Sequence, residues 1–270
     1  MKIETNGVTL DVEVEGSGQP VVLVHGFPDT KRLWSKVAPA LVDAGYQVIV
    51  PDTRGYGAST KPAEVDAYSM PMLAIDLTGI LDHLGLERAH FVGHDWGAAT
   101  VWATASFAPD RVDHLVPMSV GHPSAFGDAG LEQREKSWYM LMFQYVGLAE
   151  DWLQRDNWAN FRAWARHPDE DAVIANLERD NSLTPGLNYY RATLTPEAVT
   201  GPPLELPPIQ SPTMGIWSSG DFALTEQQMT GSAKYVTNTF RYERIDGPGH
   251  WMQWEAPEKV IPLLTDFLPK

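Results

Sequence analysis

One junction between a strand and a helix is unusually tight and constrains how the first half of the chain can fold. The apolar run HFVGHD passes directly into the helical segment GAATVWATASFA through Gly93-His94-Asp95-Trp96-Gly97. Glycines two residues before and after Asp95 let the backbone bend sharply, so the residue between them projects beyond the end of the strand. Such a turn places Asp95 at the carboxyl edge of a sheet, just before the N-terminus of a helix.

Around this junction the chain alternates short apolar strands with helices, which is typical of a mostly parallel sheet covered on both faces. Strands are predicted in VTLDVEVEGSGQPVVLVHG, QVIVPD, HLVPMSV, TMGIWSSGD and RYERIDGPGH. The first of these stretches holds two strands joined at Gly16-Ser17-Gly18. Helices are predicted around Leu33–Ala44, near Met70–Leu84 and from Trp96 onward. The fold class is therefore predicted to be α/β.

A segment of different composition interrupts this alternation. Residues 131–190 have a helical pattern with ten aromatic side chains, and the Pro-rich stretch GPPLELPPIQSP (201–212) follows. We predict a core built from residues 1–125 and 206–270, with a helical cap, residues 126–205, inserted between the two parts. The alternative is that these helices belong to one undivided core.

Charge and cysteine content exclude several classes of partner and site. The 270 residues carry a net charge of −15, whereas a nucleic-acid partner needs a clustered basic face. With no cysteine, the chain has no disulfide, thiolate metal site or cysteine nucleophile. The first residues, MKIETNGVTLDVEVEG, do not resemble a secretory signal, and no apolar run reaches the ~18 residues of a membrane span. We expect a cytoplasmic protein, monomeric or homodimeric, that binds no nucleic acid and no membrane.

Three other motifs supply groups that would complete a catalytic site. The strand VVLV ends in HGFP, a turn suited to aiming the backbone N–H of Phe27 at an oxyanion. His250 lies in the Gly/Pro loop DGPGHW after the last predicted strand, and Asp221 ends the strand IWSSGD. The order nucleophile, acid, histidine is that of the α/β-hydrolase fold. Taken alone, Asp95 would also suit the N-cap of the helix that follows it.

No metal and no cofactor are predicted. His90 and His94 lie on one strand, where four residues span roughly 13 Å, so the two rings cannot share an ion. Gly55-Tyr56-Gly57 lacks the third glycine and the following helix of a dinucleotide-binding turn. Asp246 is a second candidate for the acid, but it stands only four residues before His250.

These motifs resemble those of α/β-hydrolase-fold enzymes, and most of all those of the soluble epoxide hydrolases. The likeness covers nearly the whole chain, in HGFP, PDTRGYGAST, FVGHDWG, SWYMLMFQYVGLAE, LNYYR, SSGDFAL and GPGHW. HGFP and FVGHDWG also recur in haloalkane dehalogenase relatives, whereas the motifs of the helical segment are more specific. The resemblance implies an eight-stranded, mostly parallel sheet with helices on both faces and an inserted cap. It also implies that Tyr139 and Tyr190 face the nucleophile.

An aspartate in the nucleophile position indicates attack on an alkyl carbon. A serine would form an ether there, whereas Asp95 would form an ester that water can hydrolyse at its own carbonyl. In this mechanism His250 is the general base and Asp221 fixes its tautomer. The backbone N–H groups of Phe27 and Trp96 would form the oxyanion hole.

The leaving group separates two alkyl-transfer reactions. An epoxide oxygen leaves as a basic alkoxide, so it needs proton donors such as Tyr139 and Tyr190. A halide needs N–H donors; the Trp96 indole could supply one, but Phe27 stands where many dehalogenases carry an asparagine as the second. We predict an epoxide hydrolase that acts on an apolar epoxide with water. A haloalkane dehalogenase and a ligand receptor without turnover remain the alternatives.

Several side chains are expected to contact the substrate. They are Phe27, Pro28, Trp96, His122, Met140 and Trp251. His122, in SVGHPSAF, is predicted near the mouth of the site, as a pocket residue or as a structural loop histidine. Tyr145 and Tyr189 are predicted to be structural.

Overall fold

An eight-stranded sheet forms the centre of the molecule. The computed structural model describes residues 1–195 and 206–270. The strands are β1 (Lys2–Thr5), β2 (Val8–Gly16), β3 (Gln19–Val24), β4 (Tyr46–Asp52), β5 (Ala89–His94), β6 (Val112–Met118), β7 (Thr213–Ser218) and β8 (Phe240–Ile245). They lie in the order β1-β2-β4-β3-β5-β6-β7-β8.

The sheet is mostly parallel. The pairs β1–β2 and β2–β4 are antiparallel, and the other neighbouring pairs of the described sheet are parallel. All six residues of β5, near the middle of the sheet, are buried. Helices on both faces of a parallel sheet bury a central strand along its whole length. The predicted α/β-hydrolase architecture is confirmed.

Helices lie on both faces of the sheet and in a long connection between β6 and β7. They are α1 (Ala38–Asp43), α2 (Met70–Leu84), α3 (Trp96–Phe107), α4 (Pro123–Asp128), α5 (Gly130–Lys136), α6 (Trp138–Met142), α7 (Leu148–Ala165), α8 (Glu170–Arg179), α9 (Leu183–Thr193), α10 (Glu226–Gly231), α11 (Met252–Glu255) and α12 (Pro257–Phe267). Side chains of β3 divide between two hydrophobic cores: Val21 and Leu23 join one, and Val22 and Val24 join the other. This alternation follows from the two-residue period of a strand, and it gives each layer of helices its own core.

The connection between β6 and β7 contains α4 to α9, which we call the helical insert (residues 123–193). Its aromatic rings pack on one another, and the Trp164 ring centroid lies 4.9 Å from that of Tyr139 and 5.2 Å from that of Phe143. The division into a core and a separate cap remains a prediction. Residues 196–205, which include the start of the Pro-rich stretch, lie outside the described residues.

Some local predictions differ from the structure. The helix predicted around Leu33–Ala44 is two elements, a 3₁₀ turn (Lys31–Trp34) and α1. Pro39 has no N–H to donate, so it fits only in the first turn of an α-helix, and α1 begins there. The short edge strand β1 was not predicted, because four residues with one buried side chain, that of Ile3, give little periodic signal. Within residues 1–195 and 206–270, every helix is too short or too polar to span a bilayer.

Candidate active site

The turn between β5 and α3 holds Asp95 in a strained conformation. Its φ of 54° lies in the left-handed region, which side chains other than glycine rarely adopt. A Cβ atom on Gly93 or Gly97 would overlap the neighbouring backbone, so both positions need glycine. The carboxylate makes no capping hydrogen bond to the helix. The geometry therefore does not fit the alternative that Asp95 is only a helix cap, and the strained turn aims its side chain out of the sheet edge.

The loop after β3 lies directly against this turn. The backbone N–H of Phe27 donates to Asp95 Oδ1 at 2.8 Å. A Cβ atom on Gly26 would overlap the Asp95 carboxylate and lie 2.6 Å from the backbone nitrogen of Trp96. The N–H groups predicted to form an oxyanion hole thus border the same carboxylate. An N–H held in this place can bind the negative oxygen that develops when Asp95 itself is attacked.

His250 and Asp221 form a buried pair beside Asp95. His250 Nδ1 lies 2.9 Å from Asp221 Oδ2, and its Nε2 lies 3.6 Å from Asp95 Oδ2. Asp221 Oδ1 accepts hydrogen bonds from the backbone N–H groups of Ala223 (2.9 Å) and Leu224 (3.0 Å). The three side chains named from the sequence therefore lie together, in the arrangement that a histidine base needs.

Two opposing effects determine the charge of His250. Burial disfavours the imidazolium, but the charge and hydrogen bond of Asp221 and the nearby Asp95 outweigh it and raise the pKa of His250 to about 10. Burial would raise the pKa of Asp221, yet His250 and the hydrogen bonds to its carboxylate lower it. At neutral pH the free protein therefore holds a cationic histidine between two carboxylates.

Tyr139 of α6 and Tyr190 of α9 are both buried, and their ring centroids are 6.1 Å apart. Burial raises the pKa of each hydroxyl well above its usual value, and the negative charge of Asp95 raises both further. A hydrogen bond between the Trp96 and Tyr190 side chains acts in the opposite direction. Both tyrosines are therefore neutral hydrogen-bond donors close to the Asp95 charge.

The other residues predicted to contact the substrate lie in different surroundings. Pro28 is buried and follows Phe27 through a cis peptide bond. Trp251, next to His250, donates from its indole to Asp29 Oδ2 at 2.9 Å. Met140 is half-buried and packs against the main core.

His122, predicted either to line the pocket or to be a structural loop histidine, is fully buried beside α4. It caps α4, where its Nδ1 accepts the backbone N–H of Ser124 at 3.3 Å. Its ring stacks on Tyr235 at 4.4 Å and meets Trp102 edge-on at 5.3 Å. These contacts are those of a structural loop histidine, the second of its two predicted roles, and its buried Nε2 makes no hydrogen bond to a described residue.

The two tyrosines predicted to be structural, and the second candidate for the acid, have the following surroundings. The Tyr189 hydroxyl donates to the Arg54 carbonyl at 2.7 Å, and Tyr145 is 61% exposed. Asp246 pairs with Arg244 at 2.8 Å on the surface, away from His250. Among the described residues, no group of three or more His, Asp or Glu side chains could hold a metal ion.

Sequence reasoning missed Ser119, which follows β6. Its hydroxyl donates to Asp221 Oδ2 and lies 2.9 Å from His250 Nδ1. It also missed the buried His94, whose Nε2 lies 2.9 Å from the backbone carbonyl of His250. A single serine after a strand matches no sequence motif. Ser119 reaches the His250–Asp221 pair only because β6, β7 and the loop after β8 end close together in the folded protein.

Comparisons with known proteins agree with this arrangement. The sequence profile of the α/β-hydrolase fold matches residues 19–257. Epoxide hydrolase A of Mycobacterium tuberculosis is 33% identical, over 98% of this chain and 96% of the relative, and an epoxide hydrolase of Caballeronia sordidicola is 32% identical, over 98% and 92%. 

Solved structures give the same result. Epoxide hydrolase A from Mycobacterium thermoresistibile superposes with a TM-score of 0.81 at 32% identity, covering 99% of this chain and 97% of that one. An inhibitor complex of a Bacillus megaterium epoxide hydrolase gives a TM-score of 0.90 at 28% identity over the whole of both chains. The resemblance inferred from the motifs is confirmed: the chain belongs to the α/β-hydrolase-fold family, in the group that contains the epoxide hydrolases.

Proposed function

We propose that this protein hydrolyses epoxides to vicinal diols through a covalent ester on Asp95. The observation that carries the proposal is the position of the Asp95 carboxylate, in a strained turn beside His250 and close to two buried, neutral tyrosines. The substrate class is an apolar epoxide, because the aromatic side chains of Trp164 and Phe143 pack against the two tyrosines. The other reactant is water.

In the first step an oxygen of the Asp95 carboxylate attacks an epoxide carbon. A carbon–oxygen bond of the ring breaks as the ester bond forms, and the electron pair moves to the epoxide oxygen. Tyr139 and Tyr190 donate hydrogen bonds to that oxygen, and one of them transfers its proton to the developing alkoxide. An alkoxide is basic enough to take a proton even from a tyrosine whose pKa burial has raised.

Formation of the ester changes the charge that His250 experiences. Asp95 loses its negative charge, so one of the two carboxylates that raise the pKa of His250 is gone. The pKa of His250 then falls below its resting value of about 10, so the imidazolium can lose one proton while the tyrosinate left by the first step gains one. Alkylation thereby converts a resting cation into a base for the second step.

In the second step His250 Nε2 takes a proton from water, and the hydroxide attacks the Asp95 carboxyl carbon. The N–H groups of Phe27 and Trp96 stabilise the tetrahedral oxyanion, as the existing bond from Phe27 to Asp95 Oδ1 suggests. As this intermediate collapses, the bond between the carboxyl carbon and the alkyl oxygen breaks, and that oxygen takes the proton of the hydroxyl group that came from water. The diol leaves and the Asp95 carboxylate is restored. Asp221 keeps the second proton of the imidazole on Nδ1 throughout.

The two alternative functions lack this support. In a dehalogenase the Trp96 indole would face a halide, but here its side chain is hydrogen-bonded to Tyr190, and Phe27 occupies the place of the second donor. A receptor without turnover would have no need for a histidine held 2.9 Å from a buried acid and placed 3.6 Å from a second carboxylate.

The test offers the purified protein an aryl epoxide and, separately, a bromoalkane, and measures diol and bromide. We expect diol from the epoxide and no bromide. Bromide release without diol would reassign the protein as a dehalogenase, and binding of either compound without product would favour the receptor. The Asp95→Ala variant is the control for uncatalysed hydrolysis.

A further inference from the structure

Ser119 lies behind the imidazole of His250, on the side opposite Asp95. It follows β6, it is fully buried, and its hydroxyl contacts both members of the His250–Asp221 pair. We propose that Ser119 is a positioning residue for the hydrolytic step, whose hydroxyl holds Asp221 and the Nδ1 side of His250 so that Nε2 faces the Asp95 ester. This inference rests on the proposed function, since it concerns the second step of that reaction.

The hydrogen-bond geometry gives the hydroxyl two roles. Asp221 Oδ2 and Ser119 Oγ both lie 2.9 Å from His250 Nδ1, so the Nδ1–H proton is shared between two acceptors. The serine's own proton points to Asp221 Oδ2. Nδ1 therefore keeps its proton, and Nε2, which lies 3.6 Å from Asp95, is the nitrogen that is free to take a proton from water.

The same contact completes the environment of the carboxylate. Asp221 Oδ1 accepts two backbone N–H groups, from Ala223 and Leu224, and Oδ2 accepts Ser119 and His250. A carboxylate with both oxygens occupied in this way cannot rotate about its Cβ–Cγ bond without losing hydrogen bonds. Ser119 thus fixes the plane of Asp221 and, through it, the plane of the imidazole.

The backbone of Ser119 is strained, which points to a role for its side chain. Its φ of 71° is in the left-handed region, where glycine is favoured over any other residue. Two hydrogen bonds hold the strained residue: its N–H donates to the Ile216 carbonyl at 2.8 Å, and its carbonyl accepts from Gln228 Nε2 at 2.8 Å. A glycine would occupy this place without strain, but it would lack the hydroxyl that reaches His250.

Other charged and titratable groups also face the pair. Asp95 lies in front of the imidazole, His94 packs on it with ring centroids 4.6 Å apart, and Tyr139 interacts with the charge of Asp221. Lys136 Nζ lies 3.2 Å from the Asp221 carbonyl. None of these groups replaces the Ser119 proton on Asp221 Oδ2. Without that hydrogen bond the negative charge on Oδ2 is less stabilised and attracts the imidazolium more strongly. This outweighs the loss of the neutral acceptor Oγ, because the charged Oδ2 then takes the whole Nδ1–H bond.

The experiment compares Ser119→Ala and Ser119→Gly, which both remove the hydroxyl but differ in strain. Without substrate, NMR titration of the His250 imidazole should show a higher pKa in both variants than in wild type. With an aryl epoxide, rapid quenching and intact mass should show an ester that lives about tenfold longer in both, the effect of losing one hydrogen bond to a charged group. The rate of ester formation should match that of wild type, because alkylation does not use His250. The glycine variant should also have the higher Tm of the two, because it relieves the strained φ.

Distinct outcomes overturn the two proposals. If both variants keep the wild-type ester lifetime and the wild-type titration of His250, Ser119 does not position the pair. A slow hydrolysis in the alanine variant that disappears in the glycine variant would assign the defect to strain and would also refute the role of the hydroxyl. A wild-type protein that forms neither ester nor diol would instead refute the proposed function, while the NMR titration would still report on Ser119.

Discussion

The sheet edge and the helical insert both contribute groups to the site, but different forces hold those groups. Asp95 and Asp221 are fixed by the backbone, through a strained turn in one case and two N–H donors in the other. Tyr190 is fixed through its neighbour Arg191, whose guanidinium bonds Glu150 at 2.9 and 3.0 Å and the Phe143 carbonyl at 2.9 Å. These contacts tie α9 to the chain around α6, which carries Tyr139.

This difference separates the two halves of the reaction. In the proposed reaction, backbone contacts fix the two carboxylates, and Asp221 together with Ser119 holds the imidazole at the sheet edge. Side-chain pairs distant in sequence position the neutral donors that serve the leaving oxygen. Substitution of a reacting group at the sheet edge should therefore abolish a chemical step. Substitutions that alter the packing of the insert should slow the first step by smaller factors and leave the second step unchanged.

The largest effect is expected for Asp95→Asn. An amide is a poor nucleophile, so diol formation should fall by at least about 10⁴-fold. The measurement is diol release under single-turnover conditions. Asp246→Asn is the matched control, since this exposed carboxylate should leave activity within about twofold of wild type. Loss of activity in the control alone would mean that the nucleophile and acid are wrongly assigned.

Replacing His250 with Gln should separate the two steps. Without a base the hydrolytic step should slow by about 10³-fold, while ester formation continues. The adduct should be visible as added mass on the peptide that contains Asp95. His83→Gln, on the exposed side of α2, should accumulate no adduct. If the His250 variant forms diol normally, or fails to form any ester while wild type turns over, the covalent route is wrong.

The two tyrosines should affect ester formation and leave its hydrolysis unchanged. Tyr139→Phe and Tyr190→Phe should each slow alkylation by about 10- to 100-fold, because each removes one donor to the leaving oxygen. Stopped-flow or rapid-quench kinetics resolve the two steps. Tyr145→Phe is the control, since Tyr145 is 61% exposed. An equal loss in hydrolysis would contradict the division between insert and sheet edge.

The reach of sequence reasoning follows the same division. Asp95, His250 and Asp221 could be proposed because glycine-flanked turns and strand ends are local patterns, and α2 was predicted near its observed position. Ser119 could not, because its role depends on β6, β7 and the loop after β8 meeting in space.

His122 shows why a local pattern does not predict the surroundings of a side chain. Its position shortly after a strand end suggested a place near the site, but its ring stacks on Tyr235, more than a hundred residues away. Local pattern fixes where a residue leaves the sheet. It does not fix which distant ring will cover it.

The pH dependence should differ between the steps. Resting His250 has a raised pKa of about 10 and is protonated at neutral pH, and alkylation does not need it neutral. Ester formation should therefore be flat between about pH 6 and 9. Hydrolysis needs neutral His250 in the ester, so below the pKa of that state its rate should fall about tenfold per pH unit. Asp221→Asn removes the second carboxylate that raises the pKa of His250, so the fall in the hydrolysis rate should begin at a lower pH. Two results would contradict the proposed effect of Asp95 and Asp221 on the pKa of His250. One is a hydrolysis profile that moves to higher pH in the Asp221 variant, and the other is a rate of ester formation with the same pH dependence as hydrolysis.

The smallest effect on rate is expected for Arg191→Lys, and it tests the comparison most directly. Lysine keeps the charge but cannot form the paired bonds to Glu150 together with the bond to Phe143, so α9 should shift slightly relative to α6. A small displacement of Tyr190 should slow alkylation by about fivefold. Arg179→Lys, in an exposed pair with Asp180, is the control.

The lysine variant should hydrolyse the preformed ester at the wild-type rate and over the wild-type pH range, because none of the backbone contacts of Asp95, Asp221 or His250 involves α9. A variant with normal alkylation would show that packing within the insert, and not the Arg191 pairs, positions Tyr190. A slow hydrolysis would show that the insert also shapes the water site. The two regions would then act on one step together, and the separation between backbone-held charges and side-chain-held donors would fail.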